Sequence, residues 1–338
     1  MNIYDLTKDE LKNYFTSIGE KSFRADQVFK NLYKTVNIDD MTDLSKSLRE
    51  RLKSDFTQYI PQIERKLTSK KDFVVKYLFK MDDGEYAEGV VMGYKHGLSM
   101  CISTQVGCRM GCKFCASTLN GLKRNLTAGE ITGQILAALK DLESRISNIV
   151  LMGSGEPFDN YENVLKFIQN ATHPDGLGIG ARHITVSTCG LTDGIYRLSK
   201  EGLPINLSIS LHAPNDGLRK QIMPVANAVA IDDLIKAAND YYTTTGRRVT
   251  YEYSLIKGVN DSENEARQLV RLLKNTGSHI NLIPVNEVKE REYKTSVNTR
   301  EFQKILTENG INATVRRTLG QDINASCGQL RNQYERGG

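Results

Sequence analysis

The sequence has no apolar run approaching the ~18 residues that a membrane-spanning helix needs. Its first residues, MNIYDLTKDEL, carry acids where a secretory signal carries a basic start and an apolar core. A membrane partner is therefore not expected, and a soluble cytoplasmic protein is. Cysteine is sparse, at six in 338 residues, too few for a disulfide scaffold; in a reducing compartment clustered thiols more often bind metal or react. Charge of one sign is also in short supply. The net charge of +5 permits a polyanionic partner without demanding one. At 39% hydrophobic and 25% charged residues, the composition is that of a folded chain, long enough for one large α/β domain plus a small accessory domain.

Thr7 and Glu10 stand at capping-box spacing before Leu11, Tyr14 and Phe15, and a second amphipathic stretch runs from Phe23 to Tyr33. Residues 1–71 therefore read as an N-terminal helical accessory domain. Its basic side chains Lys21, Arg24, Lys30 and Lys34 leave RNA docking open beside a plain helical module. Over residues 72–98 the period changes: DFVVKYLFKM and YAEGVVMGYK flank Asp82-Asp83-Gly84, a hairpin-turn sequence, which predicts a strand-rich bridge. From 99 to 320 compact β-rich runs (NIVLMGSG, HITVSTCG, INLSISLH, RVTYEYSLI, HINLIPVN) alternate with helical patterns, two of them opened by the capping pairs Thr127/Glu130 and Ser262/Glu265. Six β-α units fit between 99 and 310. That predicts a partial or complete parallel barrel, with a doubly wound sheet as the alternative. In a parallel barrel the chemistry sits at the carboxyl ends of the strands, where Gly155-Glu156, Ser187, Ser210 with His212, and Asn286 collect. Residues 321–338 form a C-terminal segment.

Three of the six cysteines, Cys108, Cys112 and Cys115, lie within eight residues as C-x3-C-x2-C, just after a strand. Three thiolates from one short loop can cap three irons of a [4Fe-4S] cube and leave the fourth open to a substrate or cofactor. A structural zinc site is the alternative, but it needs a fourth Cys or His at finger-like spacing, which His96 and Cys101 do not obviously offer. Phe114 could shield such a cluster or simply pack.

With this loop after the first strand of a β-α barrel, the chain resembles the radical S-adenosylmethionine superfamily. The resemblance covers nearly the whole chain and is closest to the RlmN/Cfr subgroup of RNA methyltransferases, through CISTQVGCRMGCKFCAS, LKRNLTAGEI, GSGEPFDN, RHITVSTCG, SISLHAPND, LIPVN and DINASCGQL. It implies an α/β fold, a partial (β/α)6 TIM-like barrel, with a [4Fe-4S] cluster and S-adenosyl-L-methionine as cofactors. The open iron would chelate the methionine, and one electron would cleave the sulfonium to a carbon radical. It also implies that Gly155, Glu156, Ser187, Ser210, Leu211, His212 and Asn286 form the S-adenosylmethionine site. Without it, GSGEP is a strand-ending turn and His212 a satisfied core or loop histidine.

The same resemblance implies a reaction at adenosine 2503 of 23S rRNA and adenosine 37 of tRNA, consuming two S-adenosylmethionines, with Cys327 as methyl carrier, Cys101 as its later disulfide partner and Glu88 as proton acceptor. An aromatic C2–H is not nucleophilic, so polar methyl transfer is not expected there; a methylene radical on S-methylated Cys327 can add to the ring. Attack by Cys101 on the Cys327 sulfur would then release methylated RNA and leave a disulfide to be reduced. Read alone, Cys101, Cys189 and Cys327 are small buried hydrophobes and Glu88 a solvated strand-face acid. The proline of GEPFDN favours C2 chemistry over the Cfr-type C8 reaction, and a noncatalytic metal-stabilised RNA-binding module is the alternative of another class. Ser154 stands where the family commonly has Met, and Asn324 and Ser326 where Asp and Ala are commoner, which leaves local substrate geometry less defined than the cofactor site. Arg109, Lys113, Lys123, Arg124, Arg182, Arg316 and Arg317 are candidates for phosphate contact. A monomer served by an external electron donor such as flavodoxin or ferredoxin is expected.

Overall fold

A computed structural model describes residues 1–338 except 35, 275, 287, 289, 326–329 and 331–338. The N-terminal helices are α1 (Lys8–Ser17), α2 (Phe23–Tyr33) and α3 (Lys46–Asp55). Strands β1 (Gln62–Thr68), β2 (Val74–Lys80), β3 (Tyr86–Tyr94) and β4 (Gly97–Cys101) follow, then a short pair β5 (Gln105–Gly107) and β6 (Leu122–Asn125). From there helix and strand alternate: α4 (Ala128–Leu142), β7 (Ile146–Leu151), α5 (Tyr161–Thr172), β8 (Ile184–Thr188), α6 (Thr192–Lys200) and β9 (Asn206–Ser210). The series ends with α7 (Asp216–Ile222), α8 (Ile231–Thr245), β10 (Thr250–Leu255), α9 (Glu263–Leu273), β11 (His279–Pro284), α10 (Thr299–Glu308) and β12 (Asn312–Val315).

Ten strands form one sheet in the order β1-β2-β3-β4-β7-β8-β9-β10-β11-β12. From β4 to β12 every pairing is parallel, as helical crossovers require. β4, β7, β8, β9, β10 and β11 are the six expected strands, and β12 adds a seventh at the edge. The order does not return from β12 to β4. This is a partial barrel, and the doubly wound alternative falls away because each strand joins the same growing edge. Apolar side chains of these strands and of the covering helices make one continuous core.

β1, β2 and β3 extend the sheet antiparallel from β4. The helical stretch thus ends at Asp55, and Gln62–Thr68 is a strand inside the span read as helical. Its two apolar residues, Ile63 and Leu67, are four apart, a spacing that suits either structure; pairing with β2 decides it. The turn at Asp82-Asp83-Gly84 forms as expected, with Gly84 at φ +85°.

The helices α1–α3 enclose their own apolar core, which meets the barrel at Leu136 of α4. Two glycines make that approach close. A Cβ on Gly133 would lie 2.3 Å from the Pro61 ring, and one on Gly129 would lie 2.8 Å from the Asp5 carboxylate. Asp5 uses the space to accept from the Gly129 N–H at 2.8 Å, placing an acid at the N-terminus of α4. All three predicted capping boxes are present. Among the described residues no helix is long and apolar enough to cross a membrane.

Candidate active site

The three clustered cysteines sit on the connection between β5 and β6, which pair antiparallel. Gly107 closes this hairpin at φ +81°, and a Cβ there would stand 2.0 Å from the Gly121 carbonyl, so only glycine fits. The Cys108 N–H donates to that same carbonyl at 3.0 Å. Farther on, the Thr118 hydroxyl is shared between the Cys112 and Cys115 carbonyls, 3.0 Å from each, and the Lys113 N–H donates to Ile222 at the end of α7. The loop is thereby held at both ends before any metal is considered.

All three cysteines line a cavity of about 320 Å³ at the carboxyl ends of the parallel strands. Gly155, Glu156, Ser187, Ser210, His212 and Asn286 line it too. Burial, and behind it the neighbouring Cys115 thiol, pushes the Cys108 thiol up to about 12; Cys112 is raised for the same reasons. Among the described residues no three His, Cys, Asp or Glu side chains group as ligands of one ion. A cube asks for one thiolate per iron instead. Three soft thiolates on one pinned loop, beside a polar-walled cavity, fit that group.

After β7 the chain turns through Gly155, at φ +113°, where a Cβ would lie 2.7 Å from both Thr104 Oγ1 and Gln105 Cβ. Next to it Glu156 is buried with both oxygens engaged: Oε1 accepts from the Phe158 N–H at 3.1 Å and Oε2 from the Cys189 N–H at 2.7 Å. Burial raises its pKa. These bonds tie the ends of β7 and β8 together across the cavity.

His212, just past β9, adopts φ +56°. Its Nδ1 accepts from the Ser254 N–H at 2.9 Å, and its ring meets Phe114 edge-on with centroids 4.8 Å apart. Burial, then the nearby Arg219 cation, lowers its pKa to about 3. The imidazole is therefore neutral at physiological pH, with the proton on Nε2 because Nδ1 is an acceptor. His212 is at once a satisfied histidine and a cavity wall.

Several site residues escaped the sequence. Arg219 is fully buried, donating to the carbonyls of Leu211 (3.2 Å) and Cys189 (2.5 Å) at the ends of β9 and β8. Glu252 on β10 lines the cavity floor, accepting from Ser208 and Asn281 on the flanking strands, each at 2.9 Å. Cys189, read as an inert thiol, also lines the cavity. A lone Arg or Glu in a polar stretch carries no sequence signal; only strand register brings it inward.

Leu211 differs from its expected neighbours. Its side chain is in the apolar core and is not part of the cavity wall; its N–H and carbonyl are taken by Glu252 and Arg219. Glu88 is likewise not on the wall and is not a solvated acid. It is buried on β3, 3.1 Å from the buried Lys76 ammonium of β2. Cys101, at the end of β4, does line the cavity. It shares an apolar cluster with Val74, Val90 and Met92, onto which Leu319, Ile323 and Ala325 pack.

That C-terminal segment is gripped by the β1–β2 turn. Asp72 accepts from the Gly320 N–H at 3.0 Å, Asp322 accepts from the Ser69 hydroxyl at 2.7 Å and the Lys70 N–H at 2.8 Å, and Lys76 donates to the Asn324 carbonyl at 3.0 Å. Cys327 itself lies outside the described residues. Of the basic candidates, Arg109 is paired with Asp159, Lys123 with Glu85, and Arg124 with Glu130 and Asp83, whereas Arg316 and Arg317 line the cavity.

Residues 1–57 match the family model described as the ribosomal RNA large subunit methyltransferase N-terminal domain, and residues 102–270 match the radical SAM superfamily. The chain is 51% identical to a probable dual-specificity RNA methyltransferase RlmN of Clostridium novyi, covering 99% of both. It is 52% identical to the protein of that description from Alkaliphilus metalliredigens, covering 99% of this chain and 96% of the relative. A crystal structure of a radical SAM methyltransferase from Sphaerobacter thermophilus superposes with a TM-score of 0.91 at 42% identity, over 97% of this chain and 98% of the other. The cofactors of such a chain are a [4Fe-4S] cluster and S-adenosylmethionine. By these matches, which agree with the partial barrel and its three-thiol loop, the chain belongs to the radical SAM superfamily and, within it, to the RlmN-type dual-specificity RNA methyltransferases.

Proposed function

We propose that this enzyme methylates C2 of an RNA adenine, with adenosine 2503 of 23S rRNA and adenosine 37 of tRNA as targets, through a methylated Cys327. The observation that carries the reading is the packing of Ala325, two positions before Cys327, into the apolar cluster that contains Cys101, while both line the cavity of the three loop cysteines. In this reading Cys108, Cys112 and Cys115 hold three irons, and Gly155, Glu156, Ser187, Ser210, His212 and Asn286 surround S-adenosylmethionine, with Leu211 packed in the core behind that wall. When bound, the two cofactors supply a carbon radical from one-electron cleavage of the sulfonium.

The residues of the chain do the rest. Cys327 accepts a methyl group from one S-adenosylmethionine, gives up one hydrogen atom of it to the carbon radical and adds the resulting methylene to the adenine ring, after which the adduct returns one electron to the cluster side. Glu88, which stands behind the cavity wall two positions before Val90, is the final acceptor of the ring proton, and its ion pair with Lys76 keeps the carboxylate charge compensated inside the sheet. Cys101 then attacks the Cys327 sulfur: the S–S bond forms, the S–C bond to the RNA breaks, and the departing carbon takes up a proton. The resulting disulfide needs two electrons from an external reductant. A cytoplasmic monomer supplied by a flavodoxin- or ferredoxin-type donor suits these needs.

The test is mass-spectrometric identification of the methyladenosine formed in unmodified 23S rRNA fragments and tRNA transcripts by the anaerobically reconstituted enzyme. 2-Methyladenosine at both targets is expected. An 8-methyl product would overturn the assignment of C2, and zinc without iron or sulfide in the reconstituted protein would overturn radical chemistry altogether.

A further inference from the structure

Phe73 ends the β1–β2 turn and is 53% exposed, although a phenylalanine beside a sheet ordinarily buries its ring. Its position is built in. The Gly93 N–H donates to the Phe73 carbonyl at 2.8 Å, and a Cβ on Gly93 would come within 2.8 Å of Phe73 Cβ and 3.1 Å of Cγ and Cδ1. Glycine at 93 is what lets the side chain lie against β3. Phe73, Tyr94, Lys95, Arg317 and Leu319 line a shallow groove there. Tyr94 is steadied by His96, the two rings nearly parallel at 8° with centroids 5.3 Å apart.

The groove is continuous with the candidate active site, because Arg317 and Leu319 line both. An exposed aromatic ring flanked by two cations, opening into a cavity for an RNA base, is the chemistry that binds an unpaired nucleotide. The ring stacks any base, and the cations meet its phosphates. We propose that this groove is a second nucleotide subsite, in which a base flanking the methylated adenosine stacks on Phe73 while Lys95 and Arg317 contact the backbone. The inference rests on the RNA-methylating reading, and its structural control on Cys327 as methyl carrier, but not on C2 regiochemistry. A docked acidic electron-transfer protein is the competing occupant, and the wall shared with the substrate cavity favours RNA.

The experiment measures steady-state methylation of an unmodified tRNA transcript by the reconstituted full chain carrying Phe73→Ala, Phe73→Leu or Phe73→Tyr, with dithionite as reductant. Loss of stacking predicts a rise in KM for RNA of about 5- to 150-fold in the Ala and Leu variants. kcat and RNA-independent methylation of Cys327 stay near wild type, and Phe73→Tyr stays close to wild type throughout. Lys95→Ala is expected to lower the salt dependence of RNA binding by about one unit of log-log slope. A transcript bearing 5-iodouridine beside the acceptor adenosine should photo-crosslink to Phe73 or Tyr94.

A Leu variant with wild-type KM would overturn the subsite. Loss of RNA-independent Cys327 methylation in the Ala variant would assign Phe73 a structural role and overturn it too. A defect seen only when reduced flavodoxin replaces dithionite would give the groove to a protein partner. A wild-type chain that methylates no RNA would overturn the underlying reading, and the subsite with it.

Discussion

The Lys76 ammonium lies 3.1 Å from the Glu88 carboxylate, with both side chains buried between neighbouring strands, and the same ammonium donates to the Asn324 carbonyl. One cation thus joins the proposed proton acceptor to the segment that leads to Cys327. Removing one partner of a buried pair strands the other charge, at a cost of about 3–5 kcal/mol. Lys76→Met should therefore lower the denaturation midpoint markedly, and Lys76→Met combined with Glu88→Gln should recover much of the loss. Equal losses in the single and double variants would show that the pair is not coupled.

The two-thiol scheme predicts opposite arrests. Cys327→Ala should abolish methyl transfer to RNA, whereas Cys101→Ala should accumulate a covalent protein–RNA adduct visible as a shifted band on a denaturing gel. Normal turnover by either variant contradicts the scheme.

The grip of the β1–β2 turn on the C-terminal segment carries a pH dependence. The Lys70 N–H, followed by the Ser69 hydroxyl, holds Asp322 below the ordinary carboxylate value of 3.8. A carboxylate with a depressed folded value contributes stability above its unfolded value, and the contribution fades as pH falls through the folded one. Amides of Gly320–Asn324 should therefore exchange faster in Asp322→Asn than in wild type at neutral pH, with the difference vanishing under acid. RNA methylation should fall in that variant while iron content is unchanged.

Arg219 should prove a stability determinant as much as a site residue. Arg219→Met leaves the Cys189 carbonyl without its buried donor, at about 1–3 kcal/mol, while the Leu211 carbonyl keeps the Ala213 N–H. A urea midpoint lowered at constant slope is the expected reading. An unchanged midpoint would mean that the strand ends find other donors.

Much of this was legible along the chain. The alternation of β-rich runs and capped helices located six parallel strands, since period and capping chemistry are local properties. The C-x3-C-x2-C spacing marked out Cys108, Cys112 and Cys115 as one short loop, and the structure brings all three to the cavity. Gly155 and Gly107 were less transparent: the clashes that exclude a side chain come from Gln105 and Thr104 on a distant segment for the first and from Gly121 across the hairpin for the second. The strand at Gln62–Thr68 was missed because Ile63 and Leu67 satisfy either period, and only the partner strand β2 decides between them.

What the sequence determined by itself is the inventory: alternating β-α units of a parallel sheet, three clustered thiols, polar strand ends and two further cysteines far apart in the chain. What the tertiary structure alone decided is which of these meet. Register turned Glu252 toward the cavity and Leu211 into the core, burial drew Lys76 to Glu88, and the β1–β2 turn brought Ala325 against the cluster of Cys101. Such meetings depend on contacts between residues tens to hundreds of positions apart, on which local periodicity and propensity carry no information.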